Sequence, residues 1–312
     1  MNVLFMGSPE IAAPSLKAVL ESGHKVVGVV SQPDRPVGRG LELTPPAVAR
    51  FAKEKNLPLF QPESIKKNPE FLETLRGLKA DVIAIVAYGK ILPKEVLDLP
   101  PHGCINVHFS LLPKYRGAAP LQWALINNEE ETGVTTFRLK DGPVDSGPVL
   151  LQKKVMMHDE DNAEILGKRL AVIGAELLIE TLDGLSDGSL EAMPQNDRLA
   201  TPAPMLKKED GHLDWTRKAK ALWGQIRGVT PWPGAFTSLK GKRLKIHTAE
   251  LVEHPKKGAA GEIVEIQGDG IQIACGQGAL LIKDLQLEGG KRLACDVFLK
   301  GHPLTPGERL GT

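Results

Sequence analysis

The first half of the chain alternates short apolar runs with longer amphipathic stretches, and this alternation limits the possible folds more than any other feature. Residues 3–6, 25–30 and 81–87 have the length and apolar character of buried strands. Residues 11–20 and 69–75 carry apolar side chains at helical spacing. Strand, helix and strand in this order predict parallel strands joined by right-handed crossovers. We therefore expect a doubly wound, Rossmann-like α/β domain with a mostly parallel sheet.

Later segments complete this domain. Residues 104–107 predict one more strand, and residues 133–139 and 149–155 predict a pair of strands on either side of an irregular loop. Residues 163–182 have apolar side chains at helical spacing and close the domain.

The pattern changes beyond residue 190. Residues 193–208 contain three prolines and little apolar periodicity, which predicts a linker. After a predicted helix at 218–227, short alternating runs separated by glycines predict strands at 242–248, 261–266, 270–274 and 279–285. We expect an α/β domain at 1–189, a linker at 190–208 and a smaller all-β, OB-like barrel at 209–312.

The charge of the chain is unevenly distributed. The formal net charge of +1 argues at first against a nucleic-acid partner. However, residues 1–200 carry 22 basic and 26 acidic side chains, whereas residues 201–312 carry 17 basic and 12 acidic ones. The second part is therefore mildly basic, and its cationic side chains are candidates for phosphate contacts, although charge runs are usually only solvated faces. These side chains are Lys218, Lys220, Arg227, Lys240, Lys242, Arg243 and Lys245.

The compartment is indicated by what the sequence lacks. The cysteines Cys104, Cys275 and Cys295 have neither disulfide-framework nor metal-ligand spacing. No apolar run approaches the roughly 20 residues of a membrane span, and the N-terminus does not resemble a signal peptide. We expect a cytoplasmic protein, a monomer, with no metal and no membrane partner.

Ligands of open α/β sheets bind outside the carboxyl ends of the strands. After the first strand, Gly7 stands alone where a dinucleotide fingerprint needs three glycines, so nicotinamide and flavin cofactors are not indicated. The richest segment is at 104–120. Asn106 and His108 lie two residues apart on a predicted strand and therefore share a face. Histidine suits proton transfer near neutral pH, and an amide can donate to a developing oxyanion, although a lone histidine is more often structural.

A second polar segment, at 140–148, is a turn-forming loop with two acids, Asp141 and Asp145. A carboxylate returning to His108 would raise the basicity of the imidazole and fix its tautomer, whereas one that only caps backbone amides would be structural. No serine or cysteine of the chain has a nucleophile setting.

These residues carry a family resemblance. Asn106-Val107-His108, the runs 110–113 and 115–120, and the run 131–135 resemble the signature of the 10-formyltetrahydrofolate-dependent formyltransferases. Further similarity covers nearly the whole chain. It includes 7–9, 31–40, 86–89, 200–204, 209–211 and 231–235.

The resemblance implies that the domain at 1–189 binds folate and catalyses a formyl transfer in which Asn106, His108 and Asp145 are the catalytic residues. Asp145 is chosen over Asp141 because Asp145-Ser146-Gly147 keeps the family's Asp-[Ser/Thr]-Gly form. It also implies folate contacts along two strand ends, although some of these apolar residues could simply be core. The implied folate contacts are Ser110, Leu111, Leu112, Pro113, Val86, Tyr88, Gly89 and Ile91.

The acceptor is indicated by the loop at 31–46. Its prolines and glycines favour a mobile surface loop, and Arg35 and Arg39 could present guanidiniums to phosphates or bases. The loop is similar to the one that enters the tRNA acceptor arm in the branch of the family that formylates initiator methionyl-tRNA. That resemblance implies tRNA contacts at Arg35, Arg39, Lys242, Arg243 and Lys245.

Other functions stay open at this point. The same folate site could serve hydrolysis of 10-formyltetrahydrofolate, or formylation of an amino sugar or a purine precursor. From a different class, the chain could be a non-catalytic tRNA or folate binding module.

Overall fold

The computed structural model describes residues 1–37 and 42–311, and they form two compact units. The first unit comprises Met1–Pro120, Glu131–Met156 and Gly167–Ala203. The second unit comprises Leu121–Glu130, Met157–Leu166 and Pro204–Thr312, of which the last residue is not described. The linear division at residues 189 and 209 stays a prediction.

Strands and helices follow one another up to residue 186, with two runs of consecutive strands. The strands are β1 (Asn2–Gly7), β2 (Lys25–Val30), β3 (Arg35–Val37), β4 (Glu42–Thr44), β5 (Leu59–Phe60), β6 (Val82–Val86), β7 (Cys104–His108), β8 (Glu131–Arg138) and β9 (Val149–Met156). The helices are α1 (Ala13–Glu21), α2 (Ala47–Glu54), α3 (Pro69–Gly77), α4 (Lys94–Leu97), α5 (Pro120–Ile126) and α6 (Ala163–Ser186), and a 3₁₀ turn at Glu10–Ala12 precedes α1.

The sheet of the first unit has the order β5, β2, β1, β6, β7, β8 and β9. The five strands from β5 to β7 are parallel, while β8 and β9 run antiparallel to their neighbours. Every residue of β6 is buried, as expected for a parallel strand covered on both faces. The mostly parallel α/β class is confirmed.

The chain winds outward from β1 in both directions, because β2 lies on one side of β1 and β6 on the other. Such a reversal leaves a crevice at the carboxyl ends of the strands, where open α/β sheets bind their ligands. The strand ends at this edge are Gly7, Val30, Val86 and His108. The predicted site residues of β6 and β7 therefore follow neighbouring strands at one edge.

The second unit is built on antiparallel strands, as the sequence predicts. Its elements after residue 204 are α7 (Ala219–Gly228), β10 (Ala235–Leu239), β11 (Lys242–Leu251), β12 (Ile263–Gln267), β13 (Gly270–Ala274), β14 (Ala279–Leu287), β15 (Leu293–Ala294) and α8 (Cys295–Gly301). The sheet order is β10, β11, β14, β13 and β12, with β15 beside β14. Closure into an OB-like barrel stays a prediction.

Most predicted elements lie within a few residues of the observed ones, and the omissions have a common cause. The missed elements are short and have prolines or charges at or near their ends, so their local pattern is weak. They are β3, β4, α2, β5, α4, α5, β10, β15 and α8. Within the described residues, no helix is both long and apolar enough to cross a membrane.

Candidate active site

Asn106 and His108 end strand β7 on the same face. Asn106 pairs with Ile85 of β6 and Phe137 of β8, and His108 pairs with Thr135 of β8. The His108 side chain is buried, while Asn106 is half-buried. Within the described part of the chain the Asn106 side chain makes no hydrogen bond, so its amide is available to a ligand at this edge.

The tautomer of His108 follows from its hydrogen bond. Its Nε2 lies 2.8 Å from the carbonyl oxygen of Tyr115. A carbonyl can only accept, so Nε2 carries the proton of the neutral ring and donates to Tyr115. The lone pair of Nδ1 consequently faces Asp145, whose Oδ2 is 3.6 Å away. Nδ1 is therefore the atom of this ring that can accept a further proton.

Burial sets the protonation state of this imidazole. Desolvation lowers the pKa of His108 below its ordinary value of 6.5, and the Asp145 carboxylate and the Tyr115 carbonyl act in the opposite direction. Because the net direction is downward, the ring is neutral at pH 7. A neutral ring beside a carboxylate can take up a proton and have the resulting charge stabilised.

The loop between β8 and β9 places Asp145, and not Asp141, beside the ring. Asp145 has a φ of 52°, in the left-handed region that few side chains adopt, and its Oδ2 accepts a hydrogen bond of 2.9 Å from the backbone of Gly117. Two residues later, a side chain at Gly147 would collide with the backbone of Arg138. The Asp-Ser-Gly sequence thus lets the loop pass close to β8 and direct its carboxylate inward.

Residues 110–113 are fixed on strands β8 and β9. The Thr135 hydroxyl donates to the carbonyl of Ser110 at 2.6 Å and accepts from the backbone of Leu112 at 3.1 Å. Gln152 donates to the Leu112 carbonyl at 2.8 Å. Ser110 and Leu112 are buried, whereas Leu111 and Pro113 are half-buried. The segment is a rigid wall beside His108.

The turn after β6 supplies the other predicted folate contacts. Ala87 and Gly89 both have positive φ, and Gln32 donates to the Tyr88 carbonyl at 3.0 Å, so the turn is held in a tight conformation. Val86 is buried, and Ile91 is 88% exposed and therefore is not core. Its exposure at this edge suits a ligand wall.

Tyr88 faces the interior instead. Its ring packs in the hydrophobic core cluster that includes Leu4, Ile83 and Leu92, and its hydroxyl has no hydrogen-bond partner among the described residues. Burial raises the pKa of this phenol to about 12. Only the backbone of Tyr88 is therefore positioned to line the crevice.

The predicted tRNA loop is described in part. Arg35 lies on β3, 62% of its side chain is exposed, and its Nη2 is 3.3 Å from Glu63. Such an exposed ion pair contributes little and leaves the guanidinium accessible. Arg39 lies outside the described residues.

The basic side chains of the second unit fall into two groups. Lys242 and Arg243 are exposed, Lys245 is half-buried, and the Arg243 guanidinium lies 3.6 Å from the ring centroid of Phe236. Arg227 was expected to contact phosphates, but this expectation is wrong. It is only 8% exposed, stacks on Trp223 and donates to the carbonyls of His158 and Asp161, so it is structural.

Sequence reasoning missed several groups that support the site. The Tyr115 carbonyl and the side chains of Gln195 and Thr201 are not indicated by spacing, because the last two lie in the proline-rich segment interpreted as a linker. A carbonyl carries no sequence signal. The bonds of Gln195 and Thr201 join residues up to 86 positions apart, which no local pattern shows.

Comparisons with known proteins show the family of the chain. The family model described as formyl transferase matches residues 1–182, and the model described as formyl transferase, C-terminal domain, matches residues 205–303. The chain is 49% identical over 311 residues to a methionyl-tRNA formyltransferase of Citrifermentans bemidjiense, covering 100% of this chain and 96% of that one. It is 47% identical over 307 residues to that of Caldanaerobacter subterraneus subsp. tengcongensis, covering 98% and 99%.

Solved structures with a similar fold are more distant in sequence. An N-formyltransferase from Helicobacter canadensis, in complex with folinic acid and dTDP-3-aminofucose, matches with a TM-score of 0.68 and 17% identity over 94% of this chain and 100% of that one. HypX from Aquifex aeolicus, in complex with tetrahydrofolic acid, matches with a TM-score of 0.65 and 20% identity. This match covers 100% of the chain but spans only 51% of HypX.

Proposed function

The chain belongs to the formyl transferase family, and on that premise we propose that it transfers the formyl group of 10-formyltetrahydrofolate to the α-amine of initiator methionyl-tRNA. The products are N-formylmethionyl-tRNA and tetrahydrofolate. Relatives that are 45 to 49% identical over nearly the full chain and carry the name methionyl-tRNA formyltransferase support this acceptor.

The chemistry needs a neutral amine and a stabilised oxyanion. As the amine nitrogen bonds to the formyl carbon, the formyl oxygen gains negative charge, and the unpaired amide of Asn106 is the donor that stabilises it. The resulting tetrahedral intermediate then collapses: its oxyanion re-forms the carbonyl, and the C–N bond to the folate nitrogen breaks. The proton that the amine loses must reach the leaving folate nitrogen.

His108 carries that proton. Its Nδ1 is unprotonated in the neutral ring and accepts the proton from the attacking amine. Asp145, 3.6 Å away, stabilises the imidazolium until the proton passes to the folate nitrogen. The acid and base steps therefore use one nitrogen, while Nε2 stays bonded to the Tyr115 carbonyl.

The folate is held between the two strand ends. The rigid segment 110–113 forms one wall and the turn after β6, with Ile91, forms the other. The folate complexes of two structural neighbours support a folate co-substrate at this fold. The residues present supply apolar surface and backbone polar groups, which suit a pterin ring.

The tRNA is held by basic side chains. Arg35 and Arg39 contact the acceptor arm, and Lys242, Arg243 and Lys245 contact phosphates largely without reading sequence. We place the reaction in the cytoplasm, carried out by a monomer.

The single observation that carries the proposal is the Asn106, His108 and Asp145 arrangement at the edge of the sheet. The test offers labelled 10-formyltetrahydrofolate to the purified chain with initiator methionyl-tRNA, elongator methionyl-tRNA, an amino-sugar nucleotide, or no acceptor. We expect formyl incorporation into methionyl-tRNA, with initiator preferred. Formate release without an acceptor, or formylation of the sugar alone, would overturn the proposal.

A further inference from the structure

Residues 193–203, called here the 193–203 strap, lie on the first unit instead of spanning open solvent. Met193 exchanges two backbone hydrogen bonds of 2.7 Å with Val149 at the start of β9. At the other end, Ala203 donates to the carbonyl of Arg116 at 2.7 Å and accepts from Ala119 at 3.2 Å. Both ends of the strap are therefore anchored beside the site.

The strap passes so close to the site that position 117 must be a glycine. Gly117 has a φ of 127°, and a side chain there would come within 2.5 Å of the Ala203 carbonyl oxygen. The backbone of this same glycine donates to the Asp145 carboxylate. The close approach of strap and site is thus built into the chain.

One strap side chain controls the partner of His108. The Thr201 hydroxyl accepts a 2.8 Å hydrogen bond from the backbone of Tyr115. Tyr115 has a φ of 62°, in the left-handed region, and its own carbonyl accepts from His108 at 2.8 Å. The Thr201 bond therefore helps hold an unfavourable backbone conformation that points this carbonyl at the ring.

A second strap side chain binds the backbone of Asp145 itself, the carboxylate partner of His108. The Gln195 amide nitrogen donates to the carbonyls of Asp145 and Gly147, both at 2.7 Å. Its oxygen accepts from the Arg116 guanidinium at 2.7 and 3.1 Å. Because Arg116 can only donate, it fixes which end of the Gln195 amide faces the loop. Gln195 thereby stabilises the left-handed turn at Asp145.

We propose that Gln195 and Thr201 are positioning residues for the formyl transfer, which hold Asp145 and the Tyr115 carbonyl in the places where they orient His108. This inference rests on the proposed function. It adds that the strap acts on the chemical step and leaves the binding of both substrates unchanged.

Thr201 offers a matched pair of variants, because it is exposed and its substitution leaves the core intact. Thr201→Val removes the acceptor and keeps the shape, whereas Thr201→Ser keeps the hydroxyl. We expect Thr201→Val to lower kcat roughly 10-fold with both KM values within twofold, as a small displacement of a reacting group does. Thr201→Ser should retain wild-type kcat.

Gln195 is tested in the same way. Gln195→Met keeps the length of the side chain and removes its hydrogen bonds to the loop, and we expect kcat to fall roughly 10- to 100-fold. Leu199→Ala is the control on the same strap, since Leu199 is 61% exposed and distant from these bonds in the hydrogen-bond network. It should leave kcat unchanged.

A measurement on the free protein tests the role of the strap independently of which acceptor the protein uses. The ring ¹⁵N signals of His108 report its tautomer and pKa in the free protein, with His108→Ala used for assignment. Asp145 is the charged side chain that faces the ring among the described residues. Because its charge and the Tyr115 carbonyl both raise the pKa of His108, we expect both Thr201→Val and Gln195→Met to lower it further.

The outcomes are distinct. Unchanged His108 signals and unchanged kcat in both variants would overturn the strap proposal. A raised KM with normal kcat would also overturn it, because that result assigns the residues to substrate binding. If the His108 signals shift in the two variants but the wild-type chain does not formylate methionyl-tRNA, the strap proposal is retained and only the proposed function is overturned.

Discussion

The candidate active site of the first unit and the basic residues of the second unit differ in how far their charged side chains are exposed and paired. His108 and Asp145 are nearly covered, and each is tied to backbone groups by hydrogen bonds. Lys242 and Arg243 are exposed, and within the described ranges their side chains form no ion pair. A proton transfer needs fixed distances and a low dielectric, whereas phosphate contacts need accessible cations and tolerate movement. The difference separates chemistry from substrate holding.

The largest effect is expected at the oxyanion donor. Asn106→Ala removes the one amide at the site that is free to donate among the described residues, which costs roughly 3 to 4 kcal/mol of barrier. We expect kcat to fall by roughly two to three orders of magnitude while the folded state and the affinity for tRNA persist. Steady-state kinetics measure kcat, thermal unfolding reports the folded state, and a binding titration gives the affinity for tRNA. Near-normal turnover of this variant, or of His108→Ala, would remove the chemical role from this region.

The next effect is expected on the thermal stability of the protein with bound 10-formyltetrahydrofolate. At 100 times its dissociation constant, 10-formyltetrahydrofolate should stabilise the protein by about 2.7 kcal/mol in the absence of tRNA. Ile91→Ala should reduce this stabilisation by the folate, because the variant lacks apolar surface that the ligand would cover. Leu43→Ala, at another exposed apolar residue, is the control. No thermal shift at saturating folate would contradict the proposed pocket.

The carboxylate gives a pH-dependent test. Asp145→Asn should lower kcat roughly 10- to 100-fold, because the imidazolium loses its counter-charge. The Asp145 charge raises the pKa of His108, so its removal lowers that pKa further. Activity requires neutral His108 and is lost as the pH falls through its pKa, so the acid limb of the kcat/KM profile should move to lower pH. Asp141→Asn, in the same loop, should leave the profile in place.

The smallest effects are expected on the basic residues. Replacing Lys242, Arg243 or Lys245 singly by alanine should weaken tRNA binding a few-fold and lower the slope of log affinity against log salt by about one. Lys256→Ala is the control, because Lys256 is a basic residue of the same unit that is not among the proposed tRNA contacts. A large loss of kcat with an unchanged salt slope would assign these residues to chemistry instead.

The sequence predicted the parts of the site that depend on local periodicity. Strand alternation alone placed Asn106 and His108 on one face, and the order of strands placed them at the ligand edge. The choice of Asp145 depended on family resemblance, because a loop of two acids does not show which one turns inward. Gln195 and Thr201 were missed because their partners are distant in the chain. Arg227 was misjudged because a count of basic residues does not show that its guanidinium stacks on Trp223.

The most direct test of the separation between chemistry and substrate holding combines the two regions in one protein. The kcat/KM for initiator methionyl-tRNA is measured for Asn106→Ala, for the triple variant Lys242→Ala, Arg243→Ala and Lys245→Ala, and for all four substitutions together. Independent contributions multiply, so the combined loss should equal the product of the two losses within about twofold. A combined variant no slower than Asn106→Ala alone would contradict the account, because the basic residues would then act through the same step.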